Sequence, residues 1–273
     1  MKLSIREYMV PGATLAEKVR KLEQYGFDGI EITGTTDIKE KAASIRELVA
    51  GSPVKISAIC SGVRGCLLDS RKSERDMALS DLKMFLEAAA EVGATGVIYA
   101  PLIAIKMQIG GPRSRVPDLS PLIGIKQTEE KMFVEYTGDL GRHAARFGVF
   151  FLIEPLNRYE TFWLCRLDEG VEICRAAGTP GAKVMADFFH MSIEEDDIAA
   201  SILKAGDLIQ HVHLADSNRQ QPGTGHTDFR GGFAVLKKIG FDKYGTLECG
   251  VRGKPDEALP QCAALIRRMW NDA

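Results

Sequence analysis

The sequence predicts a single (β/α)₈ barrel spanning residues 1–273. Three observations carry that expectation. A strand-then-helix unit recurs eight times, the 273-residue length suits one such barrel, and four potential metal ligands end four successive strands. Residues 3–8 read as the first strand. Thr14 and Glu17 form a capping box ahead of Leu15, Val19 and Leu22 at helical spacing, with Gly26 as the stop. Residues 29–33, 38–49 and 54–60 then read as strand, helix and strand. Leu79, Leu82, Leu86 and Ala89 share one helix face that Gly93 terminates, before the short apolar strand 96–100. After a pause the alternation resumes with helix 128–147, strand 150–154, helix 167–176, strand 183–187, helix 194–204, strand 208–214, helix 229–239, strand 245–248 and helix 256–270. The pause, about 102–125, carries Gly110, Gly111, Pro112, Pro117 and Pro121; it is read as a long loop, either a lid over the active face or an oligomer contact. An open, doubly wound sheet is the structural alternative. It would want a glycine-rich phosphate loop after an early strand, and neither GxGxxG nor GxxxxGK[ST] occurs.

Composition narrows the function. Thirty-five Lys and Arg against 37 Asp and Glu leave a net charge of −2, which argues against nucleic acid as a partner. No apolar run approaches the ~20 residues that span a bilayer, and the N-terminus shows no secretion-type cleavage pattern, so no membrane partner and a cytoplasmic location are expected. Six scattered cysteines without a CxxC suit reduced thiols better than a disulfide framework or zinc knuckle.

The chemistry concentrates at the strand ends. Glu154, Asp187, His213 and Glu248 each close an apolar run, 33, 26 and 35 residues apart, close to one βα unit each time. A barrel places them around one mouth, on neighbouring strands, where polar residues are functional rather than structural. Three carboxylates converging without a cation would repel until one stayed protonated. One divalent metal ion is the simpler account. The oxygen-rich set suits Mn²⁺ first, accommodates Mg²⁺ or Co²⁺, and matches structural Zn²⁺ less well. His211, two residues before His213, points to the same side of the strand and reads as a buried support. His190, just past Asp187, reads as a group that polarises a substrate oxygen. His143 reads as a helix surface residue, and His226 is left between loop ligand and lid residue.

The segments Ile153-Glu-Pro-Leu-Asn-Arg-Tyr-Glu160, Asp187-Phe-Phe-His-Met191 and His211-Val-His-Leu-Ala-Asp-Ser-Asn-Arg219, with Pro222-Gly-Thr-Gly225, resemble the xylose-isomerase-like barrel superfamily. More narrowly they resemble the ketose 3-epimerases of the tagatose and psicose type. The resemblance covers the chain in layout and is specific from about residue 150 onward. It implies that Glu154, Asp187, His213 and Glu248 hold the metal and that Glu154 and Glu248 are the acid/base pair. It also implies that Glu160, His190 and Arg219 bind the sugar, and that the protein is a homodimer or homotetramer. The expected activity is a metal-dependent epimerase or isomerase that moves a proton next to the carbonyl of an unphosphorylated sugar. An inosose-dehydratase-type lyase, a hydroxypyruvate-type isomerase and a non-catalytic sugar-binding barrel are the alternatives. An endonuclease IV-type phosphodiesterase needs a histidine-rich cluster, and the first histidine here is His143. The chain departs from the ketose 3-epimerase pattern at Leu164-Cys165 and at Cys249-Gly-Val-Arg-Gly253, where Arg252 sits above the expected mouth. Those departures bear on the substrate more than on the chemistry.

Overall fold

A computed structural model of the chain describes residues 1–101 and 125–273, so the expected long loop falls outside the described residues. Eight strands, β1 (Lys2–Arg6), β2 (Gly29–Thr33), β3 (Lys55–Cys60), β4 (Gly96–Tyr99), β5 (Phe150–Ile153), β6 (Ala182–Asp187), β7 (Ile209–Leu214) and β8 (Tyr244–Leu247), close into one barrel in sequence order. Every ladder is parallel, including β1 against β8, where Ile5 pairs with Leu247. Helices α1 (Leu15–Tyr25), α2 (Ile38–Ala50), α3 (Lys72–Val92), α4 (Ile125–Arg146) and α5 (Leu167–Ala177) follow in turn. α6 (Phe188–Glu194), α7 (Ile198–Ala205), α8 (Phe229–Lys238) and α9 (Pro255–Asp272) complete the chain. The Thr14–Glu17 capping box is present, with the Glu17 amide donating to Thr14 Oγ1 at 3.2 Å.

Strand alternation divides the core into two compartments. Val97, Phe151, Ile153, Val184 and Ala186 face outward and pack with the helices in the main hydrophobic core. Side chains of this kind each contribute about 1.5–3 kcal/mol on burial. Ala58, Cys60, Ile98, Leu152 and Met185 form a separate apolar cluster on β3 to β6. The remaining strands turn polar groups inward: Ser4, Arg6, Glu31, His211, His213 and Thr246 are all buried. The barrel interior is therefore apolar on one half and charged on the other.

Two expectations need correction. The helix placed at 194–204 begins only at Ile198, and a separate helix, α6, runs before it directly from the end of β6. Asp187 caps α6 directly, accepting from the Phe189 amide at 2.7 Å, while Asp197 caps α7 through the Ala200 amide at 2.9 Å. The acidic run Glu194-Glu-Asp-Asp197 is the junction between them rather than a helix start. His143 is half-buried rather than solvated, with Nε2 3.3 Å from Glu87 on α3. All six cysteines are unbridged. No helix among the described residues is long and apolar enough to cross a membrane.

Candidate metal and acid–base site

The ends of β5 to β8 bring Glu154, Asp187, His213 and Glu248 together, with one ligand atom from each lying within 4.8 Å of the others. His213 is the centre of the group. Its Nδ1 lies 3.4 Å from Glu154, 3.7 Å from Asp187 and 3.2 Å from Glu248. Its Nε2 lies 3.1 Å from Glu31 Oε1. A carboxylate can only accept, so Nε2 carries a hydrogen; Nδ1 carries one too while the ring is charged and presents a lone pair once the ring is neutral. That Nδ1 is buried, has no hydrogen-bond partner, and faces three acidic side chains. Three carboxylates converging on one ring edge need a positive charge among them, either the proton on Nδ1 in the cation-free protein or a divalent cation that replaces it. The donor set, three carboxylates and one imidazole, fits such an ion.

The same charges set the acidities in the cation-free protein. Burial alone would lower the His213 pKa, but Glu31 and Glu248 raise it well above the ordinary histidine range. Burial opposes ionisation of Glu31 and Asp187, yet both are held below the usual carboxylate range, Glu31 by His213 and His211, Asp187 by His190 and His213. The two glutamates diverge. Burial, with Glu248 nearby, pushes Glu154 up; for Glu248 the same burial is outweighed by His213 and Arg6, so its pKa falls.

Above the cluster lies a cavity of about 310 Å³ whose lining includes Glu154, Glu248, Glu160, His190 and Arg219. The opposite wall comes from the ends of β3 and β4, including Ser61, Val63, Cys66, Tyr99 and Pro101. His190 lies in the first turn of α6, not in a loop. The backbone N–H of Asn157 donates to its Nδ1 at 3.1 Å, which leaves Nε2 as a donor on the side of Asp187. Arg219 Nη1 donates to Glu160 at 2.5 Å, and its guanidinium lies 4.6 Å over the Phe189 ring. Asp216 shapes the loop that carries Arg219: its carboxylate accepts from the amides of Ser217, Gly223, Thr224 and Thr227 at 2.8–3.0 Å. A side chain at Gly225 would sit 2.5 Å from Asp216 Oδ1, so this wrap needs glycine there. His226 and Arg252 are exposed and do not line the cavity.

Residues 19–269 match the family model for the xylose isomerase-like TIM barrel. The chain belongs to that family. Within the xylose isomerase-like family it is 31% identical to a 3-dehydro-D-guloside 4-epimerase of Escherichia coli, over 98% of this chain and 99% of that protein. It is 35% identical to an L-ribulose 3-epimerase of Methylomonas, over 49% of this chain and 47% of the relative. Among solved structures, an apo 3-keto-D-glucoside 4-epimerase from E. coli superposes with a TM-score of 0.87 at 28% identity, over 98% of this chain and 99% of the other.

Two buried residues near the candidate ligand cluster of this xylose isomerase-like barrel went unread in the sequence. Glu31 on β2 is fully buried and bonds His211 at 2.7 Å as well as His213. Arg6 on β1 reaches both Glu31, at 3.1 Å, and Glu248, at 3.2 Å. The available signal was alternation. In Gly29-Ile-Glu-Ile-Thr33 the two isoleucines bracket a charge that must point into the barrel, and Arg6 alternates with Ile5 in the same way. His211, read as a buried support, bonds Glu31 and Thr246, the latter at 3.0 Å.

Proposed function

We propose that this protein is a divalent-metal-dependent sugar epimerase that inverts a carbon next to a keto group of an unphosphorylated sugar. The observation that carries the reading is the placement of Glu154 and Glu248. They end β5 and β8, with Asp187 and His213 between them, and both line the same cavity. Two carboxylates arriving from different sides give a proton acceptor and a proton donor on opposite faces of one carbon. One takes the proton next to the carbonyl, and the electron pair moves into an enediolate. The other delivers a proton to the far face, which inverts the centre.

A divalent ion held by Glu154, Asp187, His213 and Glu248, Mn²⁺ in the first instance, would supply Lewis acidity that stabilises negative charge on the sugar oxygens. The Nε2–H of His190 would donate to a sugar oxygen, and the Arg219–Glu160 pair would offer both a donor and an acceptor to hydroxyls. Among the described residues no lysine lines the cavity, and its arginine is already paired with Glu160. That balance favours a neutral sugar over a phosphate ester.

The relative matched along nearly the whole chain is a 3-dehydro-guloside epimerase at 31% identity, whereas the ketose 3-epimerases among the relatives cover between 36% and 84% of the chain. The departures at 164–165 and 249–253 point the same way. We therefore rank keto-glycosides ahead of free ketoses as substrates.

Proton exchange in D₂O tests the reading. Mn²⁺-loaded protein is incubated with 3-keto-glycosides, ketoses, aldoses, inososes and short keto-acids and followed by NMR. Deuterium next to the carbonyl, with an epimeric product, is the expected result. A product lighter by one water would make the protein a lyase instead, and no exchange with any compound, given confirmed metal loading, would overturn the proposal.

A further inference from the structure

We propose that Arg6 is a positioning residue for Glu248 and not for Glu154, so that the two proton transfers can be separated by changing Arg6 alone. The inference rests on the epimerase reading for its kinetic consequence and on geometry for its structural one. The Arg6 guanidinium is clamped on several sides. Nη1 donates to Glu31 at 3.1 Å and to the Cys60 carbonyl at 3.2 Å, and Nη2 donates to Ser61 Oγ at 3.4 Å. Its outer face lies 5.5 Å from the centre of the Tyr8 ring. The residue is only 4% exposed.

The anchor on β3 is itself rigid. Ser61 holds a left-handed φ of 68°, and a side chain at Gly62 would meet the Gly34 carbonyl oxygen at 1.8 Å. With those edges fixed, Nε is left facing Glu248 Oε1 at 3.2 Å, buried and without an aligned hydrogen bond of its own. Glu248 is thus held by His213 on one side and by Arg6 on the other. Glu154 has no arginine or lysine in ion-pair contact among the described residues, and His213 is its ion-pair partner. A planar, five-donor fork suits this role, because one group must meet a carbonyl, a hydroxyl and two carboxylates in fixed directions.

The consequence is an uncoupling. In a two-glutamate inversion, one epimer loses its proton to Glu154 and the other to Glu248. When Glu154 takes a proton, its carboxyl group can exchange with solvent and return deuterium to the same face, which labels the starting sugar without inverting it. Completing the inversion needs Glu248 in place. Arg6→Gln should therefore slow inversion by about 10- to 100-fold, while deuterium wash-in continues near the wild-type rate for the epimer that Glu154 deprotonates. The ratio of exchange to inversion rises from one epimer and not from the other. Arg6→Lys, which keeps a buried positive charge and loses the fork, carries the same prediction if the glutamine variant does not fold.

A crystal structure of the same variant without metal gives a readout independent of turnover. Glu248 should leave its position while Glu154 and Asp187 keep theirs. Exchange and inversion falling together from both epimers, or neither changing, would overturn the inference, as would an unmoved Glu248. If wild-type protein exchanges no sugar, the epimerase reading fails, and the position of Glu248 in the variant still decides whether Arg6 holds it.

Discussion

His213 uses its two ring nitrogens differently: Nδ1 faces the carboxylates, and Nε2 is committed to Glu31. Glu31 thereby fixes both the tautomer and the ring angle, the arrangement that tunes histidine ligands in metal sites. Glu31→Gln should weaken Mn²⁺ binding by about 10- to 100-fold, measured by equilibrium dialysis, and His213→Ala should weaken it further. Undiminished affinity in the glutamine variant would mean that the Nε2 contact does not orient the ring. The cluster of four candidate ligands was legible because each is a polar residue closing an apolar strand. Glu31 was not, because it sits inside its strand, where a charge between two isoleucines was absorbed into the strand pattern; Arg6 was not, because the first strand was read on to Tyr8, whereas β1 ends at Arg6 and a short 3-10 turn follows.

The loop between β7 and α8 depends on one carboxylate. Burial would raise the Asp216 pKa, but hydrogen bonds from the amides of Thr227, Gly225, Ser217 and Gly223 lower it. A carboxyl acidified by folding stabilises the protein above its unfolded pKa and loses that contribution as pH falls through the folded value. Asp216→Asn should cost about 2 kcal/mol near neutral pH, a drop of roughly 4–8 °C in Tm. The gap between variant and wild type should close below about pH 4, near the unfolded aspartate pKa; a gap independent of pH would mean that charge plays no part. Arg219 rides on this loop at a left-handed φ of 55°, so Arg219→Ala should raise KM for the sugar more than it weakens Mn²⁺ binding. The opposite order would place the guanidinium away from the substrate. At this scale the sequence was least legible around α6. Asp187 is at once the end of a strand and the cap of a helix, and a reading that allots a connection between elements puts the helix start too late.

Across the whole molecule, a charged half-interior is costly to assemble without a counter-ion. Cation at 100 times its dissociation constant should stabilise the fold by about 2.7 kcal/mol and raise Tm by roughly 5–10 °C. Differential scanning fluorimetry with Mn²⁺ and then a chelator checks this, and a His213→Ala variant should lose the shift. The barrel itself was readable because eight alternations of apolar strand and amphipathic helix admit few other closures, whereas the connection at 102–124 follows neither period. Asp187 adds a consequence that reaches beyond catalysis. One of its oxygens receives the Phe189 and His190 amides while the other faces the His213 ring. Capture of an ion by Asp187 and the first turn of α6 would therefore share a single side chain, and by thermodynamic reciprocity each would bias the other. If Asp187 takes up the ion, the hydrogen exchange of those two amides should change on Mn²⁺ addition before any sugar is present, and unchanged exchange would leave Asp187 out of the ion site.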